Sequence, residues 1–374
     1  MRTIQVANVR WFNATAWYAL YLARLLRDAG HETLCLTLPG TEAEAQARDW
    51  GLPVESIDLN AKNPLAQLAL YPTLGRLVRE FSPDVVNCHR GEAFLHFGLL
   101  RRRLGSFALV RTRGDQRLPR ANAVNRWLHA SAADAVVATN SRMQRHFLET
   151  FGLPPERVRL IPGGVDTARF AFDPAGRERV RAEFGYGPGE FVMGLLGRFD
   201  AVKGQKELIA ACADLVHGQG LDHLRLLLIG FTTATTQDEV EGWIRAAGLE
   251  KHVAITGQRP DVAACVSALD LGVVASLWSE TIARAALEIM ACGVPLVSTD
   301  VGVMPDLLAP AALAPAGDQE ALASLLARAA GDAAWREALR LEQARTVGSL
   351  GGEDFLDTTL ELYREVGEVR GVAR

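Results

Sequence analysis

The sequence predicts an α/β protein of two doubly wound domains in tandem, each a parallel sheet with helices on both faces. Three observations carry this. Short β-rich runs alternate with helical stretches along the chain, the signature of strand–helix–strand units. Hairpin signals between neighbouring runs are nearly absent, which favours right-handed crossovers over antiparallel pairs. The pattern restarts after a polar segment at 167–189, and 374 residues suit two domains at ~100–200 residues each.

In the first half, 3–9 is expected as a strand and 14–29 as a helix, with Gly30 in the position that follows a helix end. Then follow strand 31–38, helix 64–81, strand 84–88, helix 92–104, strand 107–112, strand 134–138, helix 141–151 and strand 158–161, closing at Pro162-Gly163-Gly164. After the polar segment come strand 191–197, helix 205–217, strand 224–230, helix 237–247, strand 253–256, a short helix 262–269, strand 271–275, helix 282–292 and strand 295–298. Helices 319–330, 333–346 and 353–366 end the chain. The expected division is 1–165, 166–350 and a terminal segment 351–374, with the hinge near 163–170. Ligands of open α/β sheets bind beyond the carboxyl ends of strands, and two such domains facing each other make a cleft suited to an active site.

Composition narrows the class. Apolar residues make up 49% and charged residues 22%, the balance of a globular enzyme rather than a disordered chain. The five cysteines form no CxxC pair and no zinc spacing, which argues against a structural metal or a disulfide framework and for a reducing cytoplasm. No signal-peptide h-region and no apolar run of spanning length are present. The net charge of −4 is uneven: residues 1–165 hold 21 Lys and Arg against 14 Asp and Glu, so +7, which leaves −11 for the rest. A basic first half points to an anionic partner.

Two constellations carry chemistry. Gly197-Arg198-Phe199-Asp200-Ala201-Val202-Lys203-Gly204 follows an apolar strand directly. Arg198 and Lys203 then stand at a strand's carboxyl end, where they are either solvated loop cations or a diphosphate site, Arg as a forked donor and Lys as a mobile point charge. Glu280 and Glu288 are eight residues apart, Glu280 just before a helix and Glu288 inside an apolar stretch of it. The amides of Thr281 and Ile282 are expected as helix-start donors that favour an anion, and a carboxylate in so apolar a helix is seldom idle.

Three further features leave alternatives open. His89 follows an apolar strand and is either a satisfied core histidine or a hydrogen-bond partner of a sugar or acceptor. The arginines at 101–103, 111, 113, 117, 120 and 126 enclose a single acid, Asp115. They form either a solvated basic face, a site for a phosphorylated acceptor or a contact with anionic lipid. Nucleic acid ranks third, because no nucleic-acid fold signature accompanies them. No G-x-G-x-x-G follows the first strand, which disfavours a dinucleotide dehydrogenase.

Arg198 and Lys203, the Glu280/Glu288 pair and the run from Glu288 to Thr299 together resemble the retaining GT-B glycosyltransferases of the group 1 or family 4 type. The segment 161–170 is similar to that family's inter-domain segment. The resemblance is specific from about residue 161 to 308 and architectural before that. It implies two Rossmann-like domains across a cleft, with the last helix crossing back to the first domain. The second domain would hold a nucleotide-diphosphate sugar: Arg198 and Lys203 on the diphosphate, Glu288 on the ribose, Glu280 with the amides of Thr281, Ile282 and Ala283 on the sugar. Arg259 would lie near the base, and Gly164 would join the donor set. No metal or other cofactor is implied.

The chain departs from the family in three places. The loop after the first strand, Arg10-Trp11-Phe12-Asn13, has no glycine, so Trp11 and Asn13 are expected to shape the acceptor site instead. Thr281-Ile282-Ala283 replaces a Gly-Phe-Gly run. Arg111-Thr112-Arg113 replaces a Thr-x-His motif, so Arg111 and Arg113 are read as acceptor-binding, while His89 is grouped with the catalytic residues. The implied reaction is sugar transfer to an acceptor hydroxyl, on a phosphorylated or lipid-linked glycan of the bacterial surface such as lipopolysaccharide. The implied setting is the cytoplasm, including peripheral contact at the inner membrane face. A GT-B-fold nucleotide-sugar epimerase and a nucleotide-sugar or glycan-binding protein without turnover are the alternatives.

Overall fold

The structure, a computed structural model, describes residues 1–61 and 63–371. The chain divides into two compact units, Met1–Gly164 joined by the helix Gly352–Arg370, and Val165–Gly351.

The first unit contains strands β1 (Arg2–Ala7), β2 (Glu32–Thr37), β3 (Val54–Ser56), β4 (Val85–Cys88), β5 (Ala108–Arg113), β6 (Ala135–Ala138) and β7 (Val158–Leu160). They form one parallel sheet in the order β3-β2-β1-β4-β5-β6-β7. The central strands are buried almost throughout, as a sheet covered on both faces requires. Helix Ala14–Asp28 starts where Asn13 accepts a hydrogen bond from the Ala16 amide at 3.1 Å. Beyond its end, Gly30 turns the chain at φ +83°. Helix Pro64–Phe81 has Pro64 at its first turn and tolerates Pro72 inside. The terminal helix Gly352–Arg370 docks on this same unit. Its Tyr363 hydroxyl accepts from Asn87 Nδ2 at 2.8 Å and from Gln5 Nε2 at 3.3 Å, and Phe355 packs edge-on against Tyr18.

The second unit contains β8 (Phe191–Leu196), β9 (Leu224–Ile229), β10 (Val253–Ile255), β11 (Leu271–Val274), β12 (Leu296–Thr299) and β13 (Leu313–Ala314). They form a second parallel sheet in the order β10-β9-β8-β11-β12-β13. Each unit is therefore a Rossmann-like α/β sandwich. The five cysteines are buried and free. Among the described residues no helix is long and apolar enough to cross a membrane.

Several elements were not expected from the pattern. Helix Glu42–Asp49 buries only Ala43 and Ala47, and helix Pro174–Glu183 lies inside the segment expected to be polar linker and buries only Gly176 and Val180. Neither has an apolar stripe, and each depends on its cap, Thr41 and Asp173. The edge strands β3 and β13 are three and two residues long, too short to show an alternation. The helix expected over 282–292 begins at Arg284, which changes the geometry of the site below.

Candidate active site

In both sheets the strand order reverses once, between β1 and β4 and between β8 and β11. At such a reversal the following crossovers leave on opposite faces, and a crevice opens beyond the carboxyl ends of the two strands.

In the second unit this crevice edge is built by the segments after β8 and β11. Asp200 caps a short 3-10 turn, Ala201–Lys203, and Gly204 at φ +69° leads into helix Gln205–Ala213. A Cβ on Gly204 would overlap the Ala275 carbonyl oxygen. The loops are sewn together by the Leu277 amide donating to the Val202 carbonyl at 2.9 Å and by the Thr299 hydroxyl donating to the Ser276 carbonyl at 2.6 Å. Gly302 packs in the same way against the Glu280 backbone, whose carbonyl accepts from the Val303 amide at 2.7 Å. Replacing Gly204 by Ala adds a backbone overlap to an unfavourable φ. The expected loss is about 2–4 kcal/mol of stability, read as a drop of several degrees in the melting temperature; an unchanged midpoint would refute the close approach.

These contacts place Lys203 against Glu280. The ammonium donates to Glu280 Oε1, which also accepts from the buried Ser276 hydroxyl at 2.6 Å. Glu280 is 6% exposed. An ammonium has three donors, so Glu280 orients Lys203 without exhausting it. Arg198 is exposed and pairs with Asp200 at 2.9 Å. Thr281 and Ile282 precede the helix rather than open it: helix Arg284–Ala291 starts after Ala283, which adopts φ +48°, ψ 44°, with no side-chain cap. The amides at this helix start are therefore those from Arg284 on, two residues later than the sequence suggested. Glu288, 4% exposed, accepts from Arg284 Nε at 2.6 Å one turn earlier.

Two donor-site candidates are placed differently. Arg259 is held by carboxylates on both sides, Glu183 at 2.6 and 3.0 Å and Asp261 at 2.9 and 3.1 Å. These bonds raise its pKa further above the ordinary range. They fill most of its donor fork, so it ties the segment after β10 to helix Pro174–Glu183. Gly164 is the last residue of the first unit, and the positive φ belongs to its neighbour Gly163.

In the first unit, His89 is fully buried. Its Nε2 shares a 2.8 Å hydrogen bond with Gln5 Oε1, its ring lies against Tyr18, and Nδ1 has no partner. Burial, reinforced by the Arg111 charge, lowers its pKa to about 3. A neutral ring with one bond to the β1 glutamine is a structural element of the core, not an accessible acid or base. His129, likewise buried, is lowered to about 3. The unfolded histidines take up protons below pH ~6.5 and the folded ones do not. Stability is therefore full above that pH and falls as pH drops from 6.5 towards 3. The melting temperature should decline across that window, and His89→Asn should make the decline shallower; an identical slope in the variant would contradict the burial of an uncharged ring.

Arg111 is also fully buried. It donates to the Cys88 carbonyl at 2.7 Å and to the Thr112 carbonyl, and faces Asp115 at 3.4 Å. Burial first, and Arg113 second, lower its pKa to about 9. Arg113 pairs with the same carboxylate at 3.1 Å. Asn13 uses its side-chain oxygen as a helix cap, accepting from the Ala16 amide. Trp11 is 66% exposed. The glycine-free loop after β1 is instead held by Asn8, which donates to the Ile57 carbonyl and accepts from the Leu59 amide and Asn60 Nδ2. Among the described residues, no group of three or more His, Cys, Asp or Glu is placed to hold a metal ion.

The family model described as Glycosyl transferases group 1 matches residues 176–345, and that described as Glycosyltransferase Family 4 matches residues 15–169. The chain belongs to these glycosyltransferases. A D-inositol 3-phosphate glycosyltransferase of Nocardia farcinica is 30% identical over 175 residues, which cover 46% of this chain and 38% of that protein. The chain thus spans well under half the length of that curated relative. Among solved structures, a glycosyltransferase from Rickettsia africae superposes with a TM-score of 0.86 at 18% identity over 98% of each chain. Anabaena HepE in complex with UDP gives 0.81 at 21% identity, over 98% of this chain and all of that one. At such identities the likeness is one of fold.

The sequence reading missed Ser276, Asp200 and Arg284, the three side chains that fix Glu280, Arg198 and Glu288. Arg284 was findable, since it stands one helical turn before Glu288. Ser276 was not, because nothing in a sequence marks which hydroxyl beyond a strand turns inward.

Proposed function

We propose that the second unit binds a nucleotide-diphosphate sugar and that the enzyme transfers the sugar, with retained anomeric configuration and without a metal ion, to an acceptor hydroxyl. The observation that carries this is the Lys203–Glu280 pair at the β8/β11 reversal, with Glu288 on the helix that follows. Lys203 and Arg198 stabilise charge that grows on the leaving diphosphate, and the helix start after Ala283 adds its positive end. Glu280 holds Lys203 in place and accepts hydroxyls of the sugar. Glu288 accepts the ribose hydroxyls. The acceptor hydroxyl attacks from the face the diphosphate leaves, and a leaving phosphate oxygen takes its proton.

Support for a nucleotide-sugar donor comes from the solved relative that carries UDP. Support for a phosphate-bearing acceptor comes from the curated relative named for D-inositol 3-phosphate and from the basic first half of the chain. We assign the acceptor to bacterial surface-glycan assembly, with peripheral contact at the inner membrane face where it is lipid-linked.

The test is release of nucleoside diphosphate from nucleotide sugars, with and without acceptor, in the presence of a chelator. Acceptor-dependent release that survives chelation, with an α-linked product from an α-linked donor, is the expected result. Turnover of the sugar nucleotide alone to an epimer would replace transfer by epimerisation. Loss of all release on chelation would overturn metal independence.

A further inference from the structure

In the second unit the loop after β11 is closed except at one side chain. Every residue from Leu271 to Thr299 is buried or half-buried apart from Trp278, which is 50% exposed. We propose that the Trp278 indole is a platform on which a pyranose ring of a substrate stacks. The inference rests on the proposed transferase activity only in taking the ligand to be a sugar; the open ring and the loop that fixes it stand on their own geometry.

Three observations point to a sugar. First, the exposure does not suit the residue. A lone exposed apolar side chain is commonplace, but tryptophan has among the most apolar surface to hide, and here it is the one residue of a long closed run that stands open. The second unit's other two tryptophans are packed, Trp243 against the core and Trp335 beneath the Arg328 guanidinium at 4.4 Å. Among the described residues no aromatic ring, cation or hydrogen-bond acceptor engages Trp278. Second, the backbone is pinned on both sides of it. Before the ring, the Ser276 hydroxyl donates to Glu280 Oε1 and the Ser276 carbonyl accepts from the Thr299 hydroxyl, both at 2.6 Å, and the Leu277 amide donates to the Val202 carbonyl at 2.9 Å. After it, the Glu280 carbonyl accepts from the Val303 amide at 2.7 Å, beside Gly302, where no Cβ fits. A large ring with two side-chain torsions on so fixed a loop loses little conformational freedom on binding.

Third, the neighbouring groups match the two kinds of surface on a pyranose. Its rim carries hydroxyls, which call for charged acceptors and donors, and its face carries C–H bonds, which call for an apolar plane. Trp278 stands two residues before Glu280, whose carboxylate is joined to Lys203. One short segment at the carboxyl edge of the sheet thus supplies an apolar plane and a carboxylate–ammonium pair, and the indole N–H adds a donor at the ring's own edge. A wholly apolar ligand would have no use for the ion pair, and a bare phosphate none for the plane. The sugar of the donor and a sugar of the acceptor share this chemistry.

The test is saturation-transfer NMR of the full chain with UDP-glucose, GDP-mannose and maltose, in wild type, Trp278→Ala, Trp278→Phe and Phe231→Ala. Phe231, 42% exposed in the loop after β9, serves as the control aromatic. Saturation should reach the sugar C–H protons in wild type, fall roughly three- to tenfold in Trp278→Ala, and persist in Trp278→Phe and Phe231→Ala. A fall for the nucleotide sugars, with calorimetric affinity for UDP or GDP unchanged, assigns the stacked ring to the donor; a fall for maltose alone assigns it to a sugar of the acceptor. Sugar protons saturated equally in wild type and Trp278→Ala, a loss confined to the uracil or guanine protons, or no sugar saturation in the folded wild type overturns the proposal. Maltose saturation that depends on Trp278 without any UDP or GDP binding would keep the platform and remove the donor reading; nucleotide binding with sugar saturation indifferent to Trp278 would do the reverse.

Discussion

The Lys203→Ala variant should lose a factor of roughly 10² to 10³ in the rate of sugar transfer, the effect of removing one preorganised donor aimed at charge that develops in the transition state. The direction follows from position. Lys203 stands at the strand-order reversal, its ammonium set by Glu280 and its loop set by Gly204 and the bond between Val202 and Leu277. The same variant leaves the buried Glu280 carboxylate with the Ser276 hydroxyl as its remaining side-chain partner. Breaking a fully buried pair costs about 3–5 kcal/mol. Lys203 is partly exposed, so about 1–3 kcal/mol is expected here. Two losses are thus superposed, and a second variant separates them. Lys203→Ala with Glu280→Gln removes the stranded charge, so it should regain melting temperature and not regain rate. A double variant that recovers both would show that Lys203 acts only through the fold.

Glu288→Ala should weaken nucleotide binding by about 1.5–3 kcal/mol, the scale of hydrogen bonds to a charged group, or roughly tenfold to 150-fold. Its carboxylate is almost fully buried, yet Arg284 Nε occupies only one of about four acceptor positions. Removing it strands no buried cation, because Arg284 is about one-third exposed, so stability should change by less than ~1 kcal/mol. A titration in which mutant and wild type bind nucleotide equally would remove Glu288 from the site. A large fall in melting temperature would recast it as a packing residue.

The parts of this site that could be read from the sequence are those whose chemistry follows an apolar strand. Arg198 and Lys203 after β8, and Glu280 after β11, are marked by their place at strand ends, and the alternation of elements fixes that both ends lie on one edge of a parallel sheet. What spacing does not encode is pairing across distance. Lys203 meets Glu280 over 77 residues, and His89 is sealed by Gln5 from β1 and by Tyr18 from the following helix. An apolar strand before His89 therefore reads the same for an exposed ligand and a buried one, and only the three-dimensional neighbours decide.

Arg259 shows the same limit, since its two carboxylates come from different segments. The capping role of Asn13 was legible locally, because an asparagine directly before an apolar-periodic run is a helix-start signal. The helix Pro174–Glu183 was masked by its own composition, although Asp173-Pro174 carries the start signal that its missing apolar stripe does not.

Ala283 joins the two levels. The left-handed conformation it adopts is one that glycine takes without cost, and this chain holds it with a Cβ at the start of the helix that carries Glu288. The site geometry is thus imposed by the surrounding fold rather than by local preference.

The central claim is that the β8/β11 edge binds a nucleoside diphosphate, and the most direct measurement is thermal shift of the chelator-treated protein with UDP, GDP, ADP, CMP and their sugar conjugates. A ligand at 100 times its dissociation constant adds about 2.7 kcal/mol, a shift of several degrees for a unit of this size. The account predicts a selective shift by one diphosphate, reduced in Lys203→Ala and in Glu288→Ala. No shift with any nucleotide in the folded protein, or a shift that both variants retain in full, would contradict it.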